Sequence, residues 1–158
     1  MPPIIRAVSG DSEQTRKRVL ALDVGNKRIG VAVSDELRVL ARGLETVERK
    51  SRRVDFEKIG AVVEEYGVGE IVVGSPVRLG GEVSAQTKKV LGFAEELRAR
   101  FGLPVRMWDE RLTSLEAEEM LGKQRSVKGH IAQRKSGVVD RMAAVIILQS
   151  YLDRLTRD

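Results

Sequence analysis

Val19-Leu20-Ala21-Leu22-Asp23-Val24-Gly25-Asn26-Lys27-Arg28-Ile29-Gly30-Val31-Ala32-Val33-Ser34-Asp35 is the stretch whose reading decides the fold. Two short apolar runs flank a Gly/Asn turn, which predicts a hairpin of strands over about 18–24 and 29–34. Asp23 is the discordant residue. A lone carboxylate in a run that otherwise looks buried needs a partner or a chemical task.

Outward from the hairpin, Val39, Ala41 and Leu44 suit a third antiparallel strand within 38–46. A helix starts at Ser51 or Asp55, carries Phe56, Ile59, Val62, Val63 and Tyr66 at helical spacing, and ends at Gly67. Residues 70–74 form a short apolar strand, followed by a turn at Gly80-Gly81. Ser84 caps a helix whose stripe is Val90, Leu91, Phe93, Ala94 and Leu97, ending at Gly102. Residues 104–108 are a further strand, running into Asp109-Glu110-Arg111. Ser114 caps a helix to about 121, residues 122–136 are a Gly- and Lys/Arg-rich loop, and the last helix covers about 137–155. Strand–helix–strand units imply parallel pairing, whereas the first three strands form an antiparallel meander. The expectation is an α/β domain over 18–158. Its sheet is mixed and five-stranded, antiparallel in strands 1–3 and parallel in strands 4–5, with helices on both faces. Residues 1–17 are polar and aperiodic and read as a flexible N-terminal extension.

The 158 residues suit one domain with a sizeable core. No apolar run is long enough to span a bilayer, and the N-terminus carries no apolar signal region, so no membrane partner is expected. There is no cysteine, which excludes disulfides and thiolate metal sites, and a lone His130 excludes a histidine-rich metal site within one chain. Any metal must be held mostly by oxygen, which favours magnesium, manganese or calcium over zinc. The net charge of +5 is modest, but its distribution is uneven. Arg49, Lys50, Arg52 and Arg53 cluster, and Lys123, Arg125, Lys128, Arg134 and Lys135 share a stretch without acids. Basic clusters of this kind suit a polyanion such as nucleic acid.

In open α/β sheets, sites form at the carboxyl ends of the parallel strands. Asp23 ends the first strand; Asp109 and Glu110 end the last. Alternation lets only one of that pair face Asp23. A third carboxylate, Asp140, lies one turn from Ala143 and Ala144 and two turns from Ile147, on an otherwise apolar row where an acid is the informative anomaly. Two or three carboxylates without histidine make a site for hard cations. Two such ions, roughly 3.5–4 Å apart, would stabilise the attacking and leaving oxygens of an in-line phosphoryl displacement. Water held by the ions can attack, so no protein nucleophile is needed. The expected chemistry is metal-dependent phosphodiester hydrolysis.

Asp23-Val24-Gly25-Asn26-Lys27-Arg28-Ile29-Gly30, Ile71-Val72-Val73-Gly74-Ser75-Pro76, Trp108-Asp109-Glu110-Arg111-Leu112-Thr113 and the run from Asp140 to Leu152 resemble the YqgF/RuvX family of RNase H-like nucleases. The resemblance covers about 18–155. It implies an RNase H-like fold and a bacterial cytoplasmic nuclease using Mg2+ or Mn2+, with two ions in a carboxylate site. It also implies two substrates, Holliday junction DNA and the 5′ end of the 16S ribosomal RNA precursor. It assigns the catalytic and metal-binding acids to Asp23, Glu110 and Asp140. Two positions depart from the family's usual pattern, Asn26 where threonine is common and Ser75 between Gly74 and Pro76. Neither touches the carboxylates.

Lys27, Arg28 and Arg111 adjoin these acids in sequence and suit contacts to the phosphates flanking the scissile bond, with Lys123, Arg125, Lys128, Arg134 and Lys135 holding the backbone further away. Trp108 reads as core and His130 as loop surface. Symmetric cutting of a four-way junction would require two sites, hence a homodimer; trimming an RNA end would not. Two other readings compete: a catalytically silent RNA-binding or ribosome-assembly module on the same fold, and an actin-like ATPase domain, which also opens on an Asp-x-Gly hairpin.

Overall fold

A computed structural model of the chain describes residues 17–75, 84–109 and 137–157, without the side chains of 137–140 and 157. Strands β1 (Arg18–Val24) and β2 (Arg28–Ser34) pair antiparallel, with Leu22 opposite Val31, Asp23 opposite Gly30 and Val24 opposite Ile29. Their turn closes through the Gly25 amide donating to the Arg28 carbonyl at 2.9 Å. A Cβ on Gly25 would lie 2.8 Å from that same carbonyl oxygen, so the turn requires glycine there. Val19 to Leu22 are fully buried on both faces of the sheet, which is why the run is continuous rather than alternating.

The third strand differs from the expectation of one element within 38–46. It is broken into β3 (Ala41–Gly43) and β4 (Val47–Glu48), both paired antiparallel with β2. Between the Ala32–Gly43 and Ile29–Val47 pairs, β2 advances three residues and its partner four, so one extra residue is accommodated as a bulge. Residues 35–40 are a loop held by the Asp35 carboxylate, which accepts the Val39 and Leu40 amides at 2.7 and 3.1 Å. Arg38 sits there at a φ of 59°, which removes it from any strand.

Helix α1 (Arg52–Tyr66) starts at Ser51, whose hydroxyl accepts the Val54 amide, and stops at Gly67 in the left-handed region. Gly67 turns the chain straight into β5 (Val68–Ser75), buried along its whole length and begun two residues earlier than expected. Helix α2 (Ala85–Phe101) is capped by Ser84 and ended by Gly102, and β6 (Val105–Asp109) follows. Helix α3 is Gly137–Arg157. The expected N-terminal extension, the Gly80-Gly81 turn, the 114–121 helix and the 122–136 loop lie outside the described residues.

The sheet order is β3-β2-β1-β5-β6, with β5 parallel to both β1 and β6 and β4 continuing along β2. This is the expected mixed sheet. One face carries Leu20, Leu22, Ile29, Val31, Ile71 and Val73 against α1 and α2, centred on Phe56 stacked with Phe93 at 4.7 Å. The other carries Val19, Ala21, Ala32 and Val72 against Ala144, Ile147, Leu148, Tyr151 and Leu152 of α3. Small residues let α3 come close. A Cβ on Gly43 would lie 2.4 Å from Cγ of Arg141 and 3.2 Å from Val145. Among the described residues no helix is long and apolar enough to cross a membrane.

Candidate active site

The carboxyl ends of β1, β5 and β6 lie at one end of the sheet, and Asp23 is the acid of β1 there. Alternation places it on the face of Val19 and Ala21, the face covered by α3. It is half-buried. Its cross-strand neighbour is Gly30, and β5 carries Gly74 just beyond Val73, the partner of Leu22. The strands on either side thus put no bulky side chain beside this carboxylate.

The second half of α3 is fastened at the opposite end. The Gln149 side chain accepts from the Ala41 amide and donates to the Val39 carbonyl, each at 2.9 Å, and the Tyr151 hydroxyl donates to Glu70, the residue paired with Val19. The first turn of α3, with residue 140, therefore lies toward the carboxyl ends, where Asp23 is. The helical row of Ala144, Ile147 and Tyr151 passes through position 140.

The turn after Asp23 is gripped from outside the hairpin. Arg49 donates its main-chain amide to the Lys27 carbonyl at 2.9 Å and Nη1 to the Gly25 carbonyl at 2.8 Å. Its Nε donates to Oδ2 of Asp55 at 3.3 Å, and Oδ1 of Asp55 accepts the Lys50 amide at 3.0 Å. Asp55, in the first turn of α1, is only 2% exposed. The Arg49 guanidinium also lies over Phe93, 5.4 Å from the ring centre.

Lys27 is exposed at the turn. Arg28 is half-buried, with Nε 3.5 Å from Glu48 on the facing strand. Asp109 shares the side of Val105 and Met107 by alternation, which is the α1/α2 face and not that of Asp23. Glu110, Arg111, Lys123, Arg125, Lys128, Arg134 and Lys135 lie outside the described residues, as does the side chain of Asp140. Among the described residues no three His, Cys, Asp or Glu side chains gather to hold a metal. Of the 49–53 basic cluster, Lys50 is exposed and the three arginines have partners within the fold. Arg49 turns inward, Arg52 pairs with Glu96 and lies over Phe93, and Arg53 pairs with Glu57 one turn along. Trp108 is half-buried against α3, donating Nε1 to Ser150 at 3.2 Å with its ring edge-on to Tyr151.

Two features escape sequence reasoning. One is the Arg49–Asp55 grip, for which spacing offers no sign. The other is Glu70, an acid in the buried strand β5 and so marked by the same anomaly as Asp23. Glu70 accepts from Arg38 Nη1 at 2.9 Å, from Arg106 Nε at 2.6 Å and from Tyr151. Burial, reinforced by the Glu70 carboxylate, pushes the Tyr151 hydroxyl well above its ordinary value. This cluster lies at the amino end of the sheet. A cleft of about 400 Å³ lies there too, lined by Arg18, Ser34, Asp35, Leu40 and Arg42. Its one carboxylate, Asp35, accepts the Val39 and Leu40 amides, which hold it below the usual carboxylate range.

The family profile described as RuvX, Holliday junction resolvase, matches residues 17–154. A protein of Thermoanaerobacter pseudethanolicus, provisionally named a pre-16S rRNA nuclease, is 46% identical over 136 residues, covering 86% of this chain and 96% of its own. One of Syntrophus aciditrophicus with the same name is 49% identical over 141 residues, covering 89% and 91%. The solved structure of Thermus thermophilus RuvC in complex with Holliday junction substrate superposes with a TM-score of 0.50 at 19% identity, covering 88% of this chain and 96% of that one. Fowlpox virus resolvase with Holliday junction DNA gives 0.51 at 10% identity, covering 87% and 98%. These two likenesses bear on the fold, which is RNase H-like.

Proposed function

Because the chain belongs to the RuvX Holliday junction resolvase family and is a nuclease, we propose that it hydrolyses phosphodiester bonds of structured nucleic acid with a metal site built on Asp23, Glu110 and Asp140. The observation that supports this is the packing of Ala21 and Ala144 in one layer, from which Asp23 and position 140 extend in the same direction. Ala21 and Ala144 lie in the same cluster between sheet and helix. Asp23 is two residues beyond Ala21, about 6.6 Å along a strand, and position 140 is one turn before Ala144, about 6 Å along a helix. Both steps lead toward the carboxyl ends of the parallel strands.

The donor chemistry fits Mg2+ or Mn2+. Asp23 is a hard oxygen donor with glycines on both neighbouring strands, and the chain has neither cysteine nor a second histidine to recruit a softer ion. When bound, two such ions supply charge stabilisation to the attacking and leaving oxygens. Asp23, Glu110 and Asp140 would hold the ions through their carboxylate oxygens. The alternation that turns Asp109 to the α1/α2 face supports Glu110 as the acid following β6. Lys27 is exposed at the hairpin tip and suits the phosphate beside the scissile bond. Arg28 must leave a partly exposed pair with Glu48, which at 3.5 Å is weak enough to yield. Arg111 and the basic run Lys123, Arg125, Lys128, Arg134 and Lys135 supply the remaining backbone contacts.

The substrate is a four-way DNA junction, the 5′ end of precursor 16S rRNA, or both, and the work on precursor rRNA is cytoplasmic. Resolving a junction symmetrically would take a homodimer. The test is cleavage of both substrates with Mg2+, with Mn2+ and with chelator. We expect metal-dependent cleavage that Asp23→Asn abolishes. Equal cleavage by wild type and Asp23→Asn would overturn the assignment, and binding without cleavage under every metal condition would favour a silent RNA-binding module.

A further inference from the structure

Building on the metal-site reading above, we propose that Arg49 and Asp55 are positioning residues for Asp23 and take no part in binding nucleic acid. Asp23 lies two residues before Gly25, at the mouth of a turn that β4 flanks only on its Arg28 side. What holds that turn is Arg49. Its amide and its guanidinium take the carbonyls of Lys27 and Gly25, one on each arm of the turn. Arg49 is itself immobilised through Nε on Asp55, through the neighbouring Lys50 amide on the same carboxylate, and by the Phe93 ring beneath it.

The direction of the grip is the informative part. A buried ion pair is a poor source of net stability, because desolvation offsets most of the attraction. Here the arginine directs a second, charge-assisted donor at a carbonyl of the turn that sets the candidate metal ligand, and such bonds are short and directional. Asp55 is rooted in the first turn of α1, where its amide donates to the Ser51 carbonyl and the helix dipole favours its charge. The chain of contacts therefore runs from a helix rooted in the core, through Asp55 and Arg49, to the backbone two residues from Asp23. Groups that orient metal ligands in this way typically change metal affinity or activity about 10- to 100-fold when altered. Gly25 is part of the same device, since a Cβ there would meet the Arg28 carbonyl and push the turn off its support.

The test compares Arg49→Met, Arg49→Lys and Asp55→Asn with wild type and Asp23→Asn. Each full chain is titrated with Mn2+ alone by calorimetry, and thermal melts and cleavage at saturating Mn2+ are recorded alongside. We expect Arg49→Met to weaken Mn2+ binding about tenfold or more while leaving the fold intact, Arg49→Lys to recover part of the loss, and Asp55→Asn to resemble Arg49→Met. The double variant Arg49→Met/Asp55→Asn should be no worse than the poorer single, because the two act in series. If Asp23→Asn weakens Mn2+ binding and Arg49→Met does not, the positioning role is overturned and the metal assignment stands. A lowered melting temperature with wild-type Mn2+ affinity in both Arg49→Met and Asp55→Asn would make the pair merely structural and overturn it equally. If Asp23→Asn binds Mn2+ like wild type, the metal assignment fails and the positioning role falls with it.

Discussion

Tyr151 of α3 donates its hydroxyl hydrogen to Glu70 of β5, 81 residues away in the chain, and this bond fixes the end of α3 opposite the candidate site. Arg38 and Arg106 occupy the rest of the Glu70 carboxylate. Removing the carboxylate leaves the Arg38 guanidinium, 19% exposed, without its buried counter-charge. Glu70→Ala should lower unfolding stability by about 3–5 kcal/mol, and Tyr151→Phe by about 1 kcal/mol, since Glu70 keeps both arginines. Denaturant melts will measure this, and cleavage per folded molecule should stay at the wild-type level in Tyr151→Phe.

The same bond sets an alkaline limit. Folding raises the Tyr151 hydroxyl above its ordinary value near 10, first by burial and then through Glu70. The folded chain holds that proton more tightly than the unfolded chain, so this contribution is intact below about pH 10 and is lost as pH rises through the folded value. The stability advantage of wild type over Tyr151→Phe should therefore be constant from about pH 7 to 9 and shrink at about pH 11. Guanidinium unfolding of both proteins at those pH values measures it.

Gly43 couples stability to the site. A Cβ there meets the Cγ of Arg141 and Val145, both near the start of α3, and neither is the free end of a flexible chain. Gly43→Ala should cost about 1–3 kcal/mol by pushing α3 off the sheet. Because residue 140 adjoins Arg141, cleavage by the folded fraction should fall as well. Unchanged specific activity in a destabilised Gly43→Ala would show that the first turn of α3 is not part of the site.

The basic residues divide into two kinds with different salt signatures. Arg52 and Arg53 pair with Glu96 and Glu57 on the α1/α2 side of the sheet, so Arg52→Gln and Arg53→Gln should change nucleic-acid affinity and its salt dependence less than neutralising the 123–135 run does. Neutralising Lys123 and Arg125 together should flatten the plot of log affinity against log salt by about 2, roughly one for each phosphate that then keeps its counterion. Fluorescence anisotropy with a junction and with an RNA duplex from about 50 to 250 mM salt separates the two groups.

What the sequence discloses depends on how local the cause is. The hairpin, both serine caps and both glycine stops are decided within five residues, and all fall where the pattern puts them. Asp23 stands out because a charge interrupts an apolar run. Glu70 carries the same mark but reads equally well as the polar start of its strand, and its partners are 32, 36 and 81 residues distant. The broken third strand depends on Asp35 collecting two amides and on α3 lying over Gly43, neither of which leaves a periodic trace. Arg49 is the instructive case. In sequence it is one cation of four, and only the approach of α1 beneath the hairpin turns it inward. The anomaly of Asp23 is therefore visible in the sequence, and the contacts that hold its turn are not.

The arrangement of α3 also bears on how the protein is made. Among the described elements it alone covers the sheet face formed by Val19, Ala21, Ala32 and Val72, and it follows every strand in the chain. During synthesis no other described element packs on that face before residues 144–152 have emerged, and exposed apolar surface of this kind is what chaperones recognise. The same docking event brings residue 140 to the level of Asp23. A nascent chain that reached this stage would close the second layer of its core and, on the site proposed above, bring its two acids together in one step.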